Sequence, residues 1–91
     1  MVKKRSRLDI VSDMLATIQK KGGEIKPTHL MYGANLAHTQ MKQYMKGLYA
    51  KELIKDIKKK KGGNLIALTD NGYKYLQKLN EMREFEEAFG I

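Results

Sequence analysis

Residues 31–48 read MYGANLAHTQMKQYMKGL, and the fold turns on how this stretch divides. Gly33, Ala34 and Asn35 make a turn of the length that joins two crossed helices. From near Ala37 the apolar residues Met41, Tyr44, Met45, Leu48 and Tyr49 recur at helical spacing, which predicts a helix with one buried face. Its other face carries His38, Thr39, Gln40, Lys42, Gln43 and Lys46, with no carboxylate before Glu52. Thr, Gln and Lys side chains reach base edges or phosphates, whereas a carboxylate there would be repelled by a nucleic-acid backbone. An ordinary solvated helix face has the same composition, so this helix alone leaves both readings standing.

Toward the N-terminus, Ser6 is placed as an N-cap with Asp9 three residues on. Leu8, Val11, Met14, Leu15 and Ile18 then repeat with helical period until KKGG, giving a helix over Arg7–Lys20. Pro27 suits the first turn of a short helix, THLMYGA, that buries Leu30 and Met31 and ends near Gly33. Toward the C-terminus, ELIKDI and LIALT flank KKKKGGN, the pattern of a β-hairpin whose glycines allow a tight or bulged connection. Lysines commonly blunt exposed strand edges. Four in succession, Lys58, Lys59, Lys60 and Lys61, exceed that need and favour a tip that grips phosphates, with Asn64 beside it.

A last helix begins after Thr69, a suitable N-cap. Tyr73, Leu76, Leu79, Met82, Phe85 and Phe89 read as a one-sided apolar stripe over about twenty residues, roughly 30 Å. The inner half is expected to pack on the core. Met82, Phe85, Ala88 and Phe89 extend past what one small domain covers, and two-fold self-association is the common way to bury such a patch. The alternative is a helix folded back over its own domain. Glu84, Glu86 and Glu87 would keep this end away from DNA.

Ninety-one residues make one small core, and a net charge of +8 from 18 Lys and Arg against 10 Asp and Glu draws the chain to a polyanion. The charge is concentrated in Lys3, Lys4, Arg5 and Arg7 and in the four hairpin lysines. No stretch is apolar enough to cross a bilayer, and a soluble, cytoplasmic protein is expected. There is no cysteine, and His29 and His38 lack neighbours at metal spacing, so no metal is implied. No nucleophile–base pair, carboxylate dyad or phosphate loop is present, so the residues argue against an enzyme, and they point to no cofactor and no small-molecule ligand.

Helix, short helix, turn, helix and basic hairpin is the order of a winged helix-turn-helix, an α+β, mainly α fold. KKRSRLDIVSDMLATI, THLMYGANLAHTQMKQYMKGLYAKELI and LIALTDNGYKYL resemble the small archaeal winged-helix DNA-binding proteins, which include transcription regulators and ten-kilodalton chromatin proteins. The resemblance spans almost the whole chain. It implies a winged domain over residues 1–72 and a C-terminal dimerisation helix over 73–91, in some members a coiled coil. It further implies a recognition helix near Ala37–Ala50 in the major groove and a wing at Lys58–Asn64 on the backbone. The expected protein is a nucleoid-associated homodimer on double-stranded DNA, a transcription regulator or chromatin protein. A protein-interaction module and an RNA-binding role remain open from the sequence.

Overall fold

The computed structural model describes residues 5–90. Its elements run α1 (Arg7–Lys20), β1 (Glu24–Ile25), α2 (Pro27–Gly33), α3 (His38–Ala50), β2 (Ile54–Lys58), β3 (Asn64–Leu68) and α4 (Asp70–Phe89). The start of α1 is closed reciprocally. The Ser6 hydroxyl accepts from the Asp9 amide at 3.1 Å, and the Asp9 carboxylate accepts from the Ser6 amide at 3.0 Å. The buried face of α1 is Ile10, Met14, Leu15 and Ile18. Leu8, expected on that face, is 49% exposed, because it sits in the first turn beyond the edge of the core. In α2 Leu30 is fully buried, but Met31 is only half-buried at the core's margin.

Strand β1 carries no sequence signal of its own. Two residues show no periodicity, and the strand exists only because Glu24 and Ile25 pair with Ala67 and Ile66 in an antiparallel sheet of order β1-β3-β2. β2 and β3 pair from Ile54↔Leu68 to Lys58↔Asn64. The Gly62 amide donates to the Lys59 carbonyl at 3.3 Å, and the Lys59 amide to the Gly63 carbonyl at 3.2 Å. Lys60 and Lys61 thus hold the central positions of the turn, and Gly62, with φ +84°, takes the left-handed position that closes a bulged hairpin.

Ile54, Ile66 and Leu68 of the sheet join α1, α2, α3 and Leu76 of α4 in one core. The helix α4 is docked through its first turn. Thr69 caps it by accepting from the Gly72 amide at 3.0 Å, while the Thr69 amide donates to the Leu53 carbonyl at 3.1 Å. A side chain at Gly72 would collide with the Leu53 carbonyl oxygen, so the glycine of LTDNG is there for close approach. Among the described residues no helix is long and apolar enough to cross a membrane, and no cluster of metal-ligating side chains occurs.

Candidate nucleic-acid interface

The turn from α2 to α3 is built by its own backbone. The Asn35 amide donates to the Tyr32 carbonyl and the Leu36 amide to the Met31 carbonyl, the paired bonds of a Schellman ending, with Asn35 at φ +54°. Leu36 follows into the core, and Ala34 is buried, so the angle between the helices is set by packing on both sides of Asn35. Arg5 clamps the turn from outside. Its guanidinium donates to the Ala34 carbonyl (2.7 Å), the Asn35 carbonyl (2.7 Å) and the Asp13 carboxylate (3.2 Å). This gives Arg5 a positioning role, with three acceptors already satisfied within the chain.

Helix α3 then presents the face read from the sequence. Met41 and Leu48 are buried, and His38, Thr39, Gln40, Lys42, Gln43 and Lys46 are all exposed. At 100° per residue, Thr39, Gln43 and Lys46 lie nearest the line opposite the core, with Lys42 flanking them. Gln40 turns back: its side-chain oxygen accepts from the Ala37 amide at 3.2 Å and caps the helix.

The wing is joined to α3 by a contact the sequence reading missed. The Tyr49 hydroxyl donates to the Asp56 carboxylate, bridging the end of α3 to the middle of β2. Burial, and then Asp56, push the Tyr49 hydroxyl's pKa above the ordinary tyrosine range, so it keeps its proton as the donor. Alternation along the strands puts Asp56, Lys58, Asn64 and Ile66 on one face of the sheet. Lys58 and Asn64 therefore lie opposite each other on the side of the wing that faces α3, with Lys59, Lys60 and Lys61 at the tip. Lys55, also absent from the sequence reading, is exposed on the other face. No acidic residue other than Asp56 lies in the hairpin, and its carboxylate accepts from the Tyr49 hydroxyl at the base of the wing.

Arg7 lies in the first turn of α1, beside Gln43 and Lys51 at the flank of α3. Lys3 and Lys4 lie outside the described residues. At the far end of the molecule Met82, Phe85 and Phe89 are 53%, 61% and 67% exposed, with Ala88 exposed at their margin and the two phenyl rings 4.7 Å apart. Arg83 instead reaches α1 and bonds Asp9 at 3.2 Å. Asp9, held by the Ser6 amide and hydroxyl and then by Arg83, has its carboxyl below the usual range.

The sequence matches the winged helix-turn-helix family over residues 4–87. The chain belongs to that family. In its terms α2 and α3 are the helix-turn-helix and β2–β3 the wing. Among solved structures, the winged helix here superimposes on Sso10a-2, a DNA-binding protein from Sulfolobus solfataricus, with a TM-score of 0.79 at 16% identity, covering 93% of this chain and 85% of that one. F93 from STIV, a winged-helix DNA-binding protein, matches with a TM-score of 0.73 at 16% identity, covering 91% and 92%. The transcriptional regulator BldR from Sulfolobus solfataricus matches with a TM-score of 0.74 at 18% identity; 89% of this chain aligns with 60% of BldR. At such identities the likeness shows the fold. No curated protein sequence matches the chain.

Proposed function

We propose that the protein binds double-stranded DNA as a homodimer, with α3 in the major groove and the wing on the backbone, acting as a transcription regulator or nucleoid-associated protein. The observation that carries this is the Tyr49–Asp56 bridge. It ties the base of the wing to α3, so that Lys58 and Asn64 stand on the same side as a helix face without carboxylates. Lys58, Lys59, Lys60 and Lys61, with Arg7, Lys42 and Lys46, supply phosphate contacts. Thr39 and Gln43, with His38 at the helix start, reach base edges. Gln40 contributes mainly through the cap it forms, and Arg5 through the turn it clamps. Sso10a-2 and F93, described as DNA-binding, support the partner class.

The outer end of α4 serves as the dimer interface. Met82, Phe85 and Phe89, spaced i, i+3 and i+7, make one heptad of a coiled-coil seam, and Glu84, Glu86 and Glu87 repel DNA from that end. A two-fold axis there would set two α3 helices on successive major grooves about 34 Å apart, favouring a pseudo-palindromic site. Competition tests the groove: unlabelled duplex DNA should displace a labelled duplex far better than duplex RNA, whose deep, narrow groove excludes a helix. Equal competition refutes groove insertion. Gln43→Ala should change the ranking among DNA sequences by about 1–3 kcal/mol at one base position, and an equal loss on every sequence removes Gln43 from readout.

A further inference from the structure

Across α3 and the hairpin, residues 38–50 and 54–68, the chain carries a single carboxylate, Asp56. It lies on the less favourable side for a wing that meets phosphates. Pairing sets Ile54, Asp56 and Lys58 of β2 across from Leu68, Ile66 and Asn64 of β3, on the face toward α3, and Asp56 is exposed there. Its charge repels the same backbone that Lys58 attracts, so electrostatics alone makes it a liability at this rung.

Packing shows what the residue does. On this face Ile54, Leu68 and Ile66 are buried, and outward of Ile66 only the exposed Lys58 and Asn64 follow. The core therefore stops holding the wing at the Asp56–Ile66 rung. Tyr49 reaches that rung from the last turn of α3: its ring packs on the core, and its hydroxyl donates to the Asp56 carboxylate. A hydrogen bond to a charged oxygen is about twice as strong as one between neutral partners, and this is the advantage of a carboxylate here over a neutral side chain.

We propose that Asp56 promotes duplex binding in spite of its charge: tied to Tyr49, it sets the pitch of the wing against α3, so that Lys58 and the tip lysines meet the backbone while α3 occupies the groove. Tyr49 and Asp56 act as positioning residues. The inference deepens the DNA-binding reading above and rests on it, whereas the pitch itself is a property of the free chain.

Duplex affinity and its salt slope decide the sign, measured for wild type, Tyr49→Phe, Asp56→Ala and the double variant at a temperature where thermal melts show each folded. Were charge the whole effect, removing a carboxylate from this face would tighten binding. The expected result is the reverse: Asp56→Ala weakens binding at least about fivefold at about 150 mM salt, the electrostatic share of one phosphate contact, and lowers the slope by about 0.9. Tyr49→Phe, which leaves the carboxylate free, should weaken it at least as much. The double variant should be no weaker than Tyr49→Phe, because both changes break one bond. Binding by Asp56→Ala as tight as wild type or tighter, or losses that add in the double variant, overturns the inference and leaves the DNA-binding reading standing. Wild type that binds no duplex at low salt overturns that reading, and this inference with it. The chain has no cysteine, so the pitch can also be read without DNA. Spin labels at Lys20→Cys and Lys59→Cys, both exposed positions, should give a distance distribution that Tyr49→Phe broadens or shifts. An unchanged distribution overturns the dependence of the wing on this bond.

Discussion

Replacing Lys58, Lys59, Lys60 and Lys61 together by alanine should flatten the salt dependence of duplex binding. All four side chains are exposed, and the hairpin is held by backbone pairs from Ile54↔Leu68 to Lys58↔Asn64 and by the glycine turn, none of which the change removes. Lys60 and Lys61 occupy the centre of the turn, and Lys58 faces the α3 side, so the four ammonium groups radiate and do not all reach one strand together. If two or three of them contact phosphates, each wing contributes about 1.8–2.7 to the log–log slope, at roughly 0.9 per phosphate neutralised. Between 50 and 200 mM salt that is about a 10- to 40-fold share of the affinity lost, per wing. The assay is fluorescence anisotropy of a labelled random-sequence duplex over a salt series, wild type beside the variant, with thermal melts to show that the hairpin variant is folded. A slope unchanged within about half a unit would refute the wing as a backbone grip and leave its lysines as a solvated strand edge.

Other parts of the structure give independent tests. Gly72→Ala forces a methyl against the Leu53 carbonyl. The overlap costs about 2–3 kcal/mol, alanine's helix propensity returns up to about 1, and a fall in melting temperature of about 5–15 °C should follow; an unchanged melt refutes close approach as the reason for that glycine. Phe85→Ala with Phe89→Ala should weaken self-association at least about a hundredfold in sedimentation equilibrium while leaving the core stable, since both rings are mostly exposed in one chain. Unchanged sedimentation would remove the outer α4 from the interface. Asp9, whose carboxyl pKa is depressed in the fold, stabilises it above its ordinary value of 3.8 and loses this as pH falls through the lower folded value. The difference in melting temperature between wild type and Asp9→Ala should therefore be present at neutral pH and shrink in strong acid; a difference that grows on acidification refutes the sign.

What was legible in the sequence followed from repetition and from end signals. Helix α1 spans the limits that Ser6, Asp9 and KKGG implied, and α3 begins one residue after Ala37 because its apolar period and its cap agree. The hairpin was readable because two β-rich runs enclose a glycine pair. Strand β1 was not, since Ile25 becomes a strand only by meeting Ile66, a contact across some forty positions. The same limit governed the site. Exposure of the α3 face follows from local spacing, but the Tyr49–Asp56 bridge and the Arg5 clamp each depend on where separate elements come to rest.

The apolar stripe of α4 shows how a local pattern can be read correctly as to residues and wrongly as to direction. Leu76, Leu79, Met82 and Phe85 are three apart, and an α-helix turns about 300° over three residues, so each step falls back about 60°. The stripe is therefore not one-sided; it winds from the core face at Leu76 and Leu79, both buried, to nearly the opposite side at Phe85. Meanwhile Arg83, on the face that continues the core line, bonds Asp9 of α1 at 3.2 Å. The buried Leu76 and Leu79 set the helix's rotation about its own axis, and the half-exposed Arg83–Asp9 pair lies on the same face, so Met82, Phe85 and Phe89 point away from their own core. Met82, Phe85 and Phe89 therefore stay exposed in the single chain, which is the patch the proposed dimer would bury. One helix thus carries its apolar residues from its own core to an exposed outer face through a repeat of three set against a turn of 3.6.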